Sequence, residues 1–195
     1  MRRKSFDTLV STAALVVAAV LLAASGLLFW AHSFVSDNVR TQLTAQKIFF
    51  PPAGSEALSD PNIKPYLTQY GGQQLVNGDQ AKAYADHFIA VHLAKTSGGK
   101  TYSQLSTEAQ ANPTDTVLAG KVATVFKGET LRGLLLNAYA FGTMAKVAFV
   151  AFWISLGSGL LLMTMAALGL MHARRTSYDV ALHVPGWHPE SQPAV

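Results

Sequence analysis

The sequence predicts an all-α membrane protein: two transmembrane helices with a small helical extracytoplasmic domain between them. Three observations carry this prediction. Only 13% of the 195 residues are charged and 50% are hydrophobic, whereas a soluble domain carries about 25% charge. The apolar excess is concentrated in two uncharged runs, 9–30 and 147–171. Helical periodicity with caps and breakers dominates the stretch between them, and no convincing alternating strand is present.

The first element is the N-terminal flank, residues 1–8, with Arg2, Arg3 and Lys4. The run from Leu9 to Trp30 follows. At 1.5 Å per residue it reaches about 33 Å, enough for a hydrocarbon core of about 30 Å. The competing assignment, a secretory signal, has an apolar stretch of only about 7–15 residues. The run from Val147 to Met171 is also uncharged and is preceded by Lys146 and followed by His172, Arg174 and Arg175. Short basic flanks stay in the cytoplasm. Both ends of the chain, 1–8 and the tail 172–195, are therefore expected inside, and 31–146 outside. The tail has three prolines and no sustained period, which predicts disorder.

Close packing of helices in lipid needs small residues. The candidates for that contact are Ala14 and Ala18 on the first span and Ser155 and Gly159 on the second. Neither span carries an ionisable residue, which argues against transport by this chain alone.

Beyond the first span, Val35, Val39 and Leu43 recur every four residues, so the helix continues outward or restarts after Ser36-Asp37. Pro51-Pro52 ends it. Residues 51–78, rich in Pro, Gly, Ser and Asn, read as a long loop. Asp79 is the expected N-cap of a helix over 80–95, whose apolar face holds Ala81, Tyr84, Ala85, Phe88, Val91 and His92, with Gly98-Gly99 as its stop. A short helix over 103–111 closes at Asn112-Pro113. Another over 114–126, with Asp115 as its cap, is expected to break at Gly128. A last one from Thr130 flows into the second span.

Several function classes lose ground on these residues. With no cysteine, thiol catalysis, Cys-ligated zinc, iron–sulfur clusters and disulfides are excluded. The net charge of +4 is no nucleic-acid footprint, because 33–140 holds nine Lys/Arg against eight Asp/Glu. Ala94 to Thr101 (AKTSGGKT) looks like the end of a phosphate-binding loop. A helix precedes it where a strand is required, so a helix C-cap explains it better and no nucleotide partner is expected.

Two candidate surfaces remain. His87, His92 and Asp86 are the candidate metal-ligating residues, although histidines five apart fall about 140° around a helix rather than on one face. Phe49, Phe50, Tyr66 and Tyr70 bracket the long loop, either as an apolar docking patch or as the closure of a small core. No catalytic residue and no cofactor is expected from these patterns.

The runs Gln46–Pro52 (QKIFFPP), Gln80–Leu93 (QAKAYADHFIAVHL) and Gly128–Tyr139 (GETLRGLLLNAY) resemble a family of uncharacterised actinobacterial two-span membrane proteins. The resemblance covers residues 1 to about 175. Members are often labelled as the small subunit of an aromatic ring-opening dioxygenase. The iron triad of two histidines and a carboxylate is not recognisable here, and the resemblance transfers no functional residue. It implies a bacterial cytoplasmic membrane protein.

The combined expectation is an integral membrane accessory or interaction protein. It would present its extracytoplasmic domain to a membrane-protein partner or to further copies of itself, with the bilayer as its other partner and no nucleic acid. The alternatives are a membrane-tethered enzyme or metal-dependent module, and an extracytoplasmic ligand sensor.

Overall fold

The computed structural model describes residues 3–175; the expected tail thus falls almost wholly outside the described residues. Two long helices dominate, α1 (Arg3–Ala45) and α6 (Thr116–Arg175). Between them come a 3-10 turn (Glu56–Leu58), α2 (Lys64–Leu67), a second 3-10 turn (Thr68–Tyr70), α3 (Gly78–Ala83), a π-helical segment (Tyr84–Ile89), α4 (Ala90–Ser97) and α5 (Tyr102–Ala111). The described residues hold no strand, only an isolated bridge between Phe49 and Gln74. The chain divides into two compact units, Met1–Leu28 with Val150–Val195, and Phe29–Phe149.

In the first unit, α1 and α6 are long and apolar enough to cross a membrane. Their burial pattern is inverted relative to a water-soluble helix pair. The buried positions are Ser11, Ala18 and Ser25 on α1 and Ser155, Ala166 and Ala173 on α6, with Gly159 beside them. Leu9, Val16, Val20, Leu27, Ile154, Leu161 and Leu168 are all more than half exposed. Seven-residue spacing recurs on both helices, at 11, 18 and 25 and at 159, 166 and 173, the period that keeps one seam facing a partner helix. Small residues on that seam let the backbones approach. A Cβ on Gly159 would lie 3.0 Å from the Leu22 side chain, and one on Gly169 would lie 2.2 Å from Ser11 Oγ. Ser155 Oγ donates to the Leu21 carbonyl at 2.8 Å. Ala14 is partly buried beside this seam, while Gly157 has open space where a Cβ would stand.

The second unit has a conventional core of Leu43, Phe50, Leu58, Ile63, Leu67, Leu75, Ala81, Ala85, Ile89, Leu93, Leu105, Val125 and Leu135. Several expectations are corrected here. α1 and α6 each contribute residues to both units. The expected break at Gly128 does not occur, and α6 is continuous from Thr116. Glycine at this position serves packing: a Cβ there would lie 2.4 Å from Leu93 Cδ2, so its absence lets α4 and α6 close together. That contact works against a helix-propensity deficit of about 1 kcal/mol.

The stretch 51–78 is not a plain loop. It folds as short helical turns and supplies Leu58, Ile63, Leu67 and Leu75, each no more than 3% exposed, to the core. The cap of α3 is Asn77, whose side chain accepts from the Gln80 amide, and not Asp79. Asp115 does cap α6, accepting from the Leu118 amide at 2.9 Å. Gly98, at φ 65°, terminates α4, and the Gly99 amide closes on the Ala94 carbonyl.

Candidate functional site

Residues 78–97 form one continuous helical run whose buried face is Ala81, Ala85, Ile89, Leu93 and Ser97, spaced by four. In a regular α-helix steps of four drift by about 40° each. The wider π turn over Tyr84–Ile89 absorbs that drift and holds the four-residue spacing on the core. His92, expected on the buried face, is therefore turned outward and exposed. Its Nδ1 donates to the Phe88 carbonyl at 2.7 Å. His87 lies flat on Tyr66, with ring centroids 3.5 Å apart and planes 4° from parallel. Asp86 is taken by two cations, Lys82 one turn earlier and Arg132 of α6 at 3.3 Å. Asp86, His87 and His92 thus face three different sets of partners, and no three His, Asp or Glu side chains converge on one point among the described residues.

The Asp86 pair sets the local electrostatics. Burial opposes ionisation of Asp86, yet the Lys82 hydrogen bond, the Lys82 charge and the Arg132 contacts together outweigh it and hold the carboxyl below its ordinary value. Lys82 is raised in turn, chiefly by its hydrogen bond to Asp86. Arg132 also reaches Glu129 at 3.4 Å, and its Nε is buried without a partner. On the other side of the run, the Lys95 hydrogen bond lowers Asp60, with help from the Asn62 amide.

The four aromatic candidates separate. Phe50 is 2% exposed and belongs to the core; its ring meets Tyr70 at 5.1 Å and Tyr84 edge-on at 5.3 Å. Burial pushes the Tyr84 phenol up. A dock can use neither Phe50 nor the side of Tyr70 packed against it. Phe49 and Tyr66 remain accessible, at 56% and 46% exposure. Tyr66 with its stacked His87 forms one wall of an open cavity of about 660 Å³ whose floor is Ala90, Val91 and Ala94. Such a site offers an apolar floor, a flat aromatic surface and the Lys95 ammonium at its edge.

The phosphate-loop look-alike is a pair of helix caps. Thr101 caps α5 in a reciprocal arrangement with Gln104, and Lys100 is bound to both oxygens of Glu108 at 2.6 and 2.8 Å. Arg132 and the Tyr66–His87 stack escaped the sequence reading. Their partners lie 46 and 21 positions away, and no local pattern announces a pairing across that distance.

No family model, curated protein or solved structure matches this chain.

Proposed function

We propose that the chain is an integral membrane accessory protein, with α1 and α6 crossing the bilayer and the second unit presented to a membrane partner on the extracytoplasmic side. The observation that supports it best is the inverted burial of the first unit, where serine, alanine and glycine fill the seam and leucine, valine and isoleucine face out. In water that arrangement forfeits the burial free energy of every large side chain. In hydrocarbon it costs nothing, and small-residue packing becomes the force that holds the pair. The basic flanks Arg2, Arg3, Lys4, Arg174 and Arg175 support a reading with both ends in the cytoplasm.

Cysteines introduced at Ala53 and at Arg175 test the orientation with a membrane-impermeant thiol reagent in intact cells. The expected result is labelling at 53 only, with 175 reached after permeabilisation. Equal labelling of both in intact cells ends the reading. The accessory role is tested by mild-detergent purification of the full chain from native membranes. A stoichiometric membrane-protein partner is expected, displaced when Phe49 and Tyr66 are both changed to Ser. Recovery of the chain alone, in native and variant form alike, removes it.

A further inference from the structure

We infer that a cavity of about 410 Å³ in the second unit, lined by His32, Ser36, Arg40, Asn77, Asp79 and Lys146, binds an anionic phosphodiester headgroup that carries hydroxyl groups. Its size falls within the usual range for small-ligand sites, about 300–1,000 Å³. Two glycines in its lining, Gly78 and Gly142, let α3 and α6 pack closely beside it. Gly78 packs so closely on α6 that a Cβ would lie 3.0 Å from the Tyr139 Cα, and a Cβ on Gly142 would lie 3.4 Å from the Gly78 Cα.

His32, Ser36 and Arg40 stand four apart on one face of α1, and Gly142 and Lys146 four apart on α6. Each Cα–Cβ bond in a helix leans toward the N-terminus, so Arg40 leans back over Ser36 and Lys146 leans back over Gly142. Arg40 from α1 and Lys146 from α6 both line the cavity.

The charges are unequal. Lys146 donates to Asp79 at 2.5 Å, so these two largely cancel. Arg40 has no side-chain partner among the described residues, and its planar fork of donors matches a phosphate oxygen pair. His32 Nδ1 bonds to the Ala145 carbonyl at 2.9 Å. A carbonyl only accepts, so Nδ1 is the donor in this bond. The Asp79 carboxylate suits hydroxyl donors, as Arg40 suits the phosphodiester.

Position selects the source. His32 lies two residues beyond Trp30 and Lys146 one residue before Val147, at the ends of the two uncharged runs. On the membrane reading of the first unit, on which this choice of source rests, that is the level of the lipid phosphates.

The test is native mass spectrometry of the full-length protein in detergent, offered phosphatidylglycerol or phosphatidylcholine, with glycerophosphoglycerol as the lipid-free headgroup. Retained phosphatidylglycerol is expected to exceed phosphatidylcholine, and Arg40→Gln should lower it about tenfold, the worth of a charge-assisted hydrogen bond. Ser36→Leu, which fills the cavity without touching charge, should do the same. Lys121→Gln, an exposed cation outside the cavity, should not. Far-UV circular dichroism establishes that each variant is folded.

Equal retention of the two lipids, or the same loss in Lys121→Gln as in Arg40→Gln, overturns the inference. Binding of glycerophosphoglycerol that equals that of the lipid supports the chemistry and assigns it to a free headgroup. Carbonate extraction of native membranes, run in parallel, separates the two readings. A chain released by carbonate removes the spanning model, and the glycerophosphoglycerol arm still decides the site.

Discussion

The same two helices, α1 and α6, follow opposite burial rules in the two units. In the first, the buried side chains are Ser11, Ala18, Ser25, Ser155 and Ala166, and the large apolar ones are exposed. In the second, Phe50, Ile63, Leu67, Leu75 and Leu135 are buried, and the charges are paired at the surface through Lys82–Asp86, Lys95–Asp60 and Lys100–Glu108. The difference teaches that hydrophobicity alone does not locate a core. What is buried depends on the solvent being excluded: burial of large apolar groups in water, and close backbone approach where the surroundings are themselves apolar.

The most damaging way to probe this contrast is to remove volume from the conventional core. Leu67→Ala should cost the second unit about 2–5 kcal/mol, read as a lower midpoint in denaturant unfolding of the full chain in detergent, with α1 and α6 of the first unit still protected from hydrogen exchange. Loss of protection in both units at the same midpoint would show that they are one cooperative body.

The converse probe adds volume to the small-residue seam. Gly159→Ile should weaken the first unit by about 1–3 kcal/mol through overpacking against Leu22, whereas Leu27→Ala, outward-facing and 68% exposed, should leave it unchanged. If Leu27→Ala is the more damaging of the two, the seam is misassigned.

A finer comparison separates two glycines of the second unit. Gly78 abuts backbone atoms of Tyr139 and Ala138, and Gly128 abuts only the flexible end of Leu93. Gly78→Ala is therefore expected to destabilise by about 1–3 kcal/mol. Gly128→Ala gains about 1 kcal/mol of helix propensity against a clash that Leu93 can relieve by changing rotamer, so its net effect is smaller. Thermal unfolding monitored by circular dichroism ranks them.

The smallest effect is electrostatic. Because the Asp86 carboxyl is held below its ordinary value, its contribution is present above the unfolded-state value near 3.8 and is lost as pH falls through the lower folded value. Asp86→Asn should flatten the acid limb of the stability profile below about pH 4 and cost about 1 kcal/mol or less at neutral pH, as exposed pairs do. An unchanged acid limb would show that Lys82 and Arg132 do not stabilise the ionised form.

Much of the fold was legible in the residues themselves. Two uncharged runs longer than 20 residues determine two long apolar helices. The four-residue recurrence of Val35, Val39 and Leu43 marks helix beyond the first of them, as a continuation or a restart after Ser36-Asp37, and Gly98, Asn112 and Asp115 mark helix ends through local hydrogen bonds. These signals are local, and so they survive without knowledge of the partners.

What the tertiary structure alone decided is whatever depends on distant atoms. Gly128 reads as a breaker until Leu93 is seen to need its space. The Pro- and Gly-rich stretch 51–78 reads as a loop until Ile63, Leu67 and Leu75 are seen to close the core. The outward turn of His92 comes from a π segment, and the pairing of Asp86 with Arg132 and the cavity around Arg40 come from side chains far apart in the sequence. Sequence patterns report short-range preference of a fraction of a kcal/mol to about 1 kcal/mol per residue, and packing contacts several times larger override them wherever the two disagree.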